Sequence, residues 1–276
     1  MMEIPESRTV AAQISKTLAN RTIVDAVAAS SPHGLVSYAG DPARYKDLLS
    51  GQTLWGAHAV GGIVELRIGA MRLLLQDGVK ARYYAPDDIL PAKHQLLLRF
   101  SDGSALVCIV QMYGGILLYE GEVLDNPYYK VALEKPDPLS EEFNTSYFND
   151  LVKSTTVGKT SVKALLATEQ RIPGLGNGCL QDILFHARVN PQSKAINLEE
   201  KGMTLLFGSI KRILRAMTEG GGRDTEKDFF GQAGSYHTLM SNKTYSKPCP
   251  ICGNMVLRKT FLGGNIYYCP RCQPIK

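Results

Sequence analysis

The sequence predicts an α+β protein of several domains. A mostly antiparallel β first half is led by a helix, a helical second half follows, and a C-terminal β-hairpin is closed by four cysteines. Three observations carry this. Short apolar runs separated by Gly- and Asp-containing turns fill residues 63–120, and apolar residues recur at helical spacing after Lys159. Near the C-terminus, Cys249-x2-Cys252 and Cys269-x2-Cys272 stand sixteen residues apart.

Taken in order, Val10, Ile14 and Leu18 repeat at a four-residue step and predict a helix over residues 5–19. Ile63–Ile68 and Arg72–Leu75 flank Gly69-Ala70 as paired strands, and Asp77-Gly78 marks a turn. His94–Phe100 and Ala105–Val110 form a hairpin around Ser101–Ser104, and Gly114-Gly115 breaks the run before Ile116. The Pro-bearing connector Lys135–Ser140 is the best domain boundary. Beyond it, Val162, Leu165 and Leu166 share a helix face, as do Leu206, Ile210, Ile213, Leu214 and Met217, a helix that ends at Gly220-Gly221-Gly222. Residues 220–247 are long and weakly patterned, which marks a functional or mobile loop. The domains expected are 1–138, 139–240 and 241–276.

At 276 residues, 44% hydrophobic and 21% charged, the chain can bury a sizeable core and is not disordered. The net charge of +5 conceals a division. Residues 1–150 carry 13 basic and 18 acidic side chains, whereas residues 151–276 carry 18 and 8. A polyanionic partner is therefore expected to dock mainly on the second half. No run reaches the ~18 apolar residues of a membrane span, and Met1–Glu6 has no features of an export signal.

Two C-x2-C knuckles present four thiolates in the manner of a structural tetrahedral zinc site formed by Cys249, Cys252, Cys269 and Cys272. Paired disulfides and a redox CxxC are the alternatives. Arg258, Lys259, Arg271 and Lys276 favour a nucleic-acid contact for this hairpin, although such ribbons also bind proteins. Upstream, Gly174-Leu175-Gly176-Asn177 places a glycine turn before a helix start, an arrangement that favours an anion such as a phosphate. Cys108 and Cys179 sit in apolar runs as core thiols.

With Gln181 through Asn190-Pro191 following, this segment resembles the helix-two-turns-helix motif of the formamidopyrimidine-DNA glycosylase and endonuclease VIII family. The hairpin ending Cys269-Pro270-Arg271-Cys272-Gln273 is similar to that family's zinc finger, and Glu3-Ile4-Pro5-Glu6 looks like its N-terminal catalytic segment. Gly220-Gly221-Gly222, Asp228-Phe229 and Tyr245 follow the order of its lesion-loop region, where Tyr236-His237 also falls. The resemblance implies an N-terminal antiparallel β-sandwich with a flanking helix, a helix-two-turns-helix domain and a zinc-finger hairpin, with duplex DNA between. It also implies a mechanism. An N-terminal proline amine attacks C1′ of a damaged nucleotide, the base leaves, and a Schiff base drives strand cleavage with the adjacent glutamate as acid/base. A lysine, the asparagine of the turn and a hairpin-tip arginine grip phosphates, and wedge side chains replace the flipped base.

The departures bear on chemistry. Met2 stands at the proline position, and initiator removal is not expected before a second methionine. Met1 then offers only a primary amine, a poor substitute. Gly264 falls at the arginine position, and Val60–Ile63 holds no lysine. Glu3 and Glu6 remain as acid/base candidates, with helix N-terminal charge compensation as their alternative. Asn177 with Gly176 keeps its part of the grip, and helix N-capping is compatible with that role. Gln111-Met112-Tyr113-Gly114 looks like the family's wedge turn, with an ordinary strand-end aromatic as the alternative for Tyr113, and Gln76 is similar in position to a wedge methionine.

The expected function is recognition of damaged or abasic double-stranded DNA in base excision repair, with weakened or altered lyase chemistry. The catalytic candidates are Met1, Met2, Glu3 and Glu6. The DNA-binding candidates are Gly176, Asn177, Arg258, Lys259 and Tyr113. A non-catalytic damage-binding protein and a zinc-ribbon protein binding RNA or protein are the alternatives, so enzymatic activity is left open. The expected state is a monomer with structural Zn²⁺, away from membranes, cytoplasmic (nucleoid-associated in a prokaryote) or nuclear.

Overall fold

The computed structural model describes residues 2–121, 124–154 and 159–276. It divides into two compact units. The first runs to Lys130 and takes in Glu226–Gly234; the second holds Val131–Thr225 and Ser235–Lys276.

In the first unit, helix α1 (Ile4–Leu18) leads strands β1 (Arg21–Ala28) and β2 (Val36–Ala39), and a short helix α2 (Tyr45–Leu49) follows. Strands β3 (Thr53–Val60), β4 (Ile63–Ile68), β5 (Met71–Leu75), β6 (Val79–Tyr84), β7 (Leu96–Phe100), β8 (Ala105–Val110) and β9 (Gly114–Glu120) complete it. Pro5 lies in the first turn of α1, where its missing N–H has no helical partner to lose. Val10, Ile14 and Leu18 bury the helix stripe read from the sequence. The Ser15 hydroxyl donates to Ala57 O (2.8 Å) and accepts from Ala57 N–H (2.7 Å), which fixes the helix to β3.

The strand order is β2-β9-β5-β4-β3-β1-β7-β8-β6. The shared strand β1 makes this a two-layer arrangement. Arg21 and Thr22 pair with β3, whereas Ile23–Ala28 pair with β7, with an irregularity between Ile23 and Asp25. Leu66, Leu73 and Leu118 of one layer and Leu98, Phe100 and Leu106 of the other share one core with Ile14 and Leu18 of α1. Each such side chain contributes roughly 1.5–3 kcal/mol by leaving water. The pairing is antiparallel except for β2 on β9, which is parallel. Gly114 and Gly115 do not break β9. They open it as buried strand residues, with Gly115 O accepting from Gln76 N–H at 2.9 Å.

Residues 226–234, weakly patterned in sequence, have defined partners here. Phe229 is fully buried in the β core, and its carbonyl accepts from Tyr83 N–H at 2.9 Å. Gln13 brackets the segment, donating to Asp228 Oδ2 (2.7 Å) and accepting from Phe229 N–H (3.0 Å).

Helix α3 (Pro127–Glu134) crosses the division between the units. The second unit then contains α4 (Thr145–Lys153), α5 (Val162–Ala167), α6 (Asn177–His186), α7 (Glu200–Glu219) and a hairpin of β10 (Leu257–Phe261) and β11 (Gly264–Tyr268). Leu206, Ile210, Ile213, Leu214 and Met217 form the buried stripe of α7. That helix stops at Gly220, with Gly221 at φ 67° and Gly222 N–H returning to Met217 O at 2.8 Å. This left-handed closure is the reason glycine stands there. No described helix is long and apolar enough to cross a membrane.

Candidate functional site

The candidate residues fall into two groups, one in each unit. In the first unit, Glu3 is the N-cap of α1 and is buried with Glu6. The Glu3 N–H donates to Glu6 Oε2 at 3.3 Å, so Glu6 acts as the returning carboxylate of a capping box. Helix capping therefore accounts for the orientation of Glu6. Met2 packs its side chain against the β core. Met1 lies outside the described residues. The β3–β4 turn, where the sequence lacks the expected lysine, is tied to this segment by the Ser7 hydroxyl donating to Gly61 O at 2.7 Å.

Tyr113 sits between β8 and β9 and is 44% exposed, beside Met112 at 69%. Its hydroxyl donates to Asp77 Oδ2 at 3.2 Å. Asp77 was not evident as a site residue from sequence. Its second oxygen, Oδ1, is buried with no hydrogen-bond partner among the described residues. Burial raises the Asp77 carboxyl above its ordinary range, and the nearby Glu3 carboxylate adds to the rise, although the Tyr113 hydroxyl opposes it. Gln76 is tied to Asn126 Oδ1 at 3.2 Å.

In the second unit the hairpin tip packs on the α5–α6 turn. Gly176, not Asn177, is the N-cap of α6, and Asn177 is the first helical residue. The Asn177 carboxamide donates to Asn265 O at 2.9 Å. Gln181, one turn on, donates to the same carbonyl (3.2 Å) and accepts from Tyr267 N–H (3.0 Å). Lys163 is buried and donates to the carbonyls of Phe261 and, at 3.4 Å, Leu262. Burial lowers its ammonium pKa. Sequence reasoning missed Lys163, although its position three residues before Leu166, on the apolar face of α5, was a usable signal. Arg258 and Lys259 are exposed on β10. The Arg258 guanidinium lies 4.5 Å from the Tyr245 ring centroid, and Lys259 Nζ reaches Gln192 Oε1 at 3.3 Å.

The four cysteine sulfurs of the hairpin all lie within 4.8 Å of one another. Cys249 and Cys272 are 3.9 Å apart and Cys252 and Cys269 3.4 Å apart, so no disulfide joins them. A tetrahedral zinc with ~2.3 Å bonds separates its sulfurs by about 3.8 Å, so this donor set fits the metal. Behind it, Gln273 is fully buried and joins the hairpin to the end of α6. Its carboxamide accepts from Cys269 N–H (3.0 Å) and donates to Val189 O (2.8 Å), and its carbonyl accepts from Asn190 Nδ2 (2.8 Å). Asp182 on α6 organises the adjoining loop, accepting from Met240 N–H (2.7 Å), Leu239 N–H (2.9 Å) and the Tyr236 hydroxyl (3.0 Å). The neighbouring His237 projects into solvent.

A two-layer β unit followed by a helical unit that carries a four-cysteine zinc finger defines the class. Residues 135–228 match the formamidopyrimidine-DNA glycosylase H2TH domain, and residues 246–275 match the zinc finger found in FPG and IleRS. The chain is 31% identical over 240 residues to a formamidopyrimidine-DNA glycosylase of Neisseria meningitidis, covering 82% of this chain and 84% of that one. It is similar in structure to Lactococcus lactis Fpg in complex with an abasic-site-containing DNA (TM-score 0.81, 24% identity, 98% of this chain and 99% of that one). Wild-type Lactococcus lactis Fpg in complex with an N7-benzyl-Fapy-dG-containing DNA is similar at TM-score 0.82 and 25% identity, covering 99% of each chain. This chain belongs to the formamidopyrimidine-DNA glycosylase family.

Proposed function

We propose that this protein recognises damaged or abasic duplex DNA in base excision repair, with chemistry that departs from the proline-based lyase reaction. The observation that carries the reading is the pinning of the zinc hairpin tip to the α5–α6 turn by Asn177, Gln181 and Lys163. That junction belongs to a chain whose relatives include Fpg proteins solved on damaged DNA. Asn177, Gly176, Arg258 and Lys259 supply the phosphate-facing edge in this reading, and Tyr113 supplies the wedge. The altered chemistry rests on Met2, which offers no secondary amine and directs its side chain to the core. Glu3 is then the remaining acid/base beside the sugar. The expected location is wherever the DNA lies, cytoplasmic or nuclear, and the expected state is a monomer.

A second reading, damage recognition without catalysis, is favoured by the same Met2 packing and by the absence of a cation at Gly264. Intact-mass measurement followed by borohydride trapping on abasic duplex separates the two. An adduct that disappears when the α-amino group is blocked establishes amine chemistry. No adduct and no base release, with tight binding to abasic duplex, establishes the binding protein. Equal affinity for lesion and intact duplex overturns both.

A further inference from the structure

The β4–β5 hairpin turns at Gly69-Ala70, at the end of β4 opposite the Gly61 turn that meets α1. Six residues of β4 separate the two turns by about 20 Å. Beside the Gly69 end lies an open cavity of about 400 Å³ lined by Trp55, Arg67, Arg72 and Gly121. None of these residues has a role in the reading above.

Three features of the cavity need explanation. Trp55 is the only tryptophan of the chain and is 57% exposed. It is the extra residue of a β-bulge, because Leu54 pairs with Ile68 and Gly56 with Arg67. A bulge re-aims a side chain, and Gly56 at φ 154° permits this one. Second, Arg67 and Arg72 are direct cross-strand partners, a like-charge pairing that destabilises a hairpin unless something offsets it. Third, the two guanidiniums are held differently. Arg72 is anchored, donating to Glu65 Oε1 (2.7 Å) and Gly121 O (3.2 Å). Glu65 is itself buried and also receives the Tyr129 hydroxyl. Arg67 is exposed and makes no hydrogen bond or ion pair among the described residues.

An exposed indole beside one anchored guanidinium and one with no partner among the described residues matches a ligand with an aromatic face and an anionic group. Bases stack on tryptophan, and the planar guanidinium binds phosphate oxygens in pairs. The cavity volume sits at the low end of small-molecule sites, the scale of one nucleotide. We propose that the Trp55–Arg67–Arg72 cavity is a second nucleic-acid site that takes one phosphorylated nucleotide unit, with its base on Trp55 and its phosphate on Arg67. The unit belongs either to a free nucleotide or to a single strand.

Because Trp55 is the only tryptophan, its fluorescence reports this cavity alone. Titration of the full-length protein with dAMP, deoxyadenosine and a short oligo-dA is expected to give saturable quenching by dAMP. Deoxyadenosine should bind about fivefold more weakly or worse, since it lacks the phosphate contact. Stronger quenching by oligo-dA than by dAMP at equal nucleotide concentration identifies a strand, and equal quenching identifies a free nucleotide. Arg67→Ala, an exposed change, should weaken dAMP binding by a similar factor while leaving the melting temperature and abasic-duplex affinity unchanged. Absence of saturable quenching at millimolar dAMP overturns the proposal, as does quenching that Arg67→Ala leaves intact. An emission blue-shift that grows with protein concentration also overturns it, because a second copy would then cover Trp55. None of the overturning results depends on whether the chain recognises damaged duplex.

Discussion

Placing a cation at the hairpin tip is the sharpest test of whether Gly264 faces a phosphate. A β-carbon added at Gly264 meets Asn177 Nδ2 at 3.4 Å and Lys163 Nζ at 3.5 Å, ordinary contact distances that displace nothing. Gly264 is paired with Phe261 in the hairpin and does not have a positive φ, so a larger residue is not strained there. The Lys163 ammonium is already committed to the Phe261 and Leu262 carbonyls, so a new guanidinium has reason to extend toward solvent. Gly264→Arg should therefore fold and add one phosphate contact. Each such contact steepens the slope of log affinity against log salt by about 0.9, and over a fourfold salt increase that amounts to about 3.5-fold in affinity. Fluorescence anisotropy on abasic duplex from about 50 to about 200 mM salt reads the slope directly. Gly264→Gln, long but uncharged, is the control and should leave it unchanged. An arginine variant with the parental slope and parental melting temperature would refute the reasoning, because the tip would then not face a phosphate.

Three further outcomes are expected. Gln273→Ala leaves the Cys269 N–H and the Val189 carbonyl buried without partners. It should cost about 2–4 kcal/mol in urea unfolding and speed zinc transfer to a chelator, and parental values for both would dismiss the lock. Phe229→Ala removes a fully buried ring from the β core and should cost about 3–5 kcal/mol, whereas a loss below about 1 kcal/mol would mean residues 226–234 are only lightly docked. Asp77→Asn tests the raised carboxyl. A folded pKa above the unfolded value of about 3.9 means that its stabilising contribution is complete below pH ~4 and is lost as pH rises through the folded pKa. The asparagine variant should lose that component and show a flatter fall in urea midpoint above pH ~4, with the residual slope of Asp182, also raised by burial, present in both proteins.

What was legible in the sequence was local. The α1 stripe, the α7 stripe with its glycine stop and the two cysteine knuckles each depend on spacings of a few residues, and the structure places them as read. What was not legible depends on residues far apart in the chain. The passage of β1 between layers needs partners on both β3 and β7, and the parallel β2–β9 pairing joins residues nearly eighty positions apart. Phe229 lies more than a hundred residues beyond the strands whose core it enters. Asn190 and Gln273 belong to two separate sequence motifs, but their mutual hydrogen bond makes those motifs a single lock. Asp77 looked like a turn residue because its neighbour is glycine, and only the approach of Tyr113 gives it a second role.

Asn177 apart, the contacts that hold the frame are separate from the groups assigned to DNA. The hairpin is held by Lys163, Asn177, Gln181 and Gln273, all through uncharged carbonyl or amide partners within the chain. None of those contacts uses a cation at the hairpin tip, so glycine at 264 leaves the tip where it was. The first unit behaves alike. Ser7 fastens the β3–β4 turn to α1 through a backbone carbonyl, so the turn keeps its place without a lysine. Met2 adds apolar contact with the β core. With that one exception, the contacts that maintain the frame therefore do not depend on the groups that the proposed reading assigns to DNA. If the two sets are separable in this way, a Glu3→Gln change should abolish any base release while leaving abasic-duplex affinity within about twofold. A parallel loss of binding would show instead that Glu3 belongs to the frame.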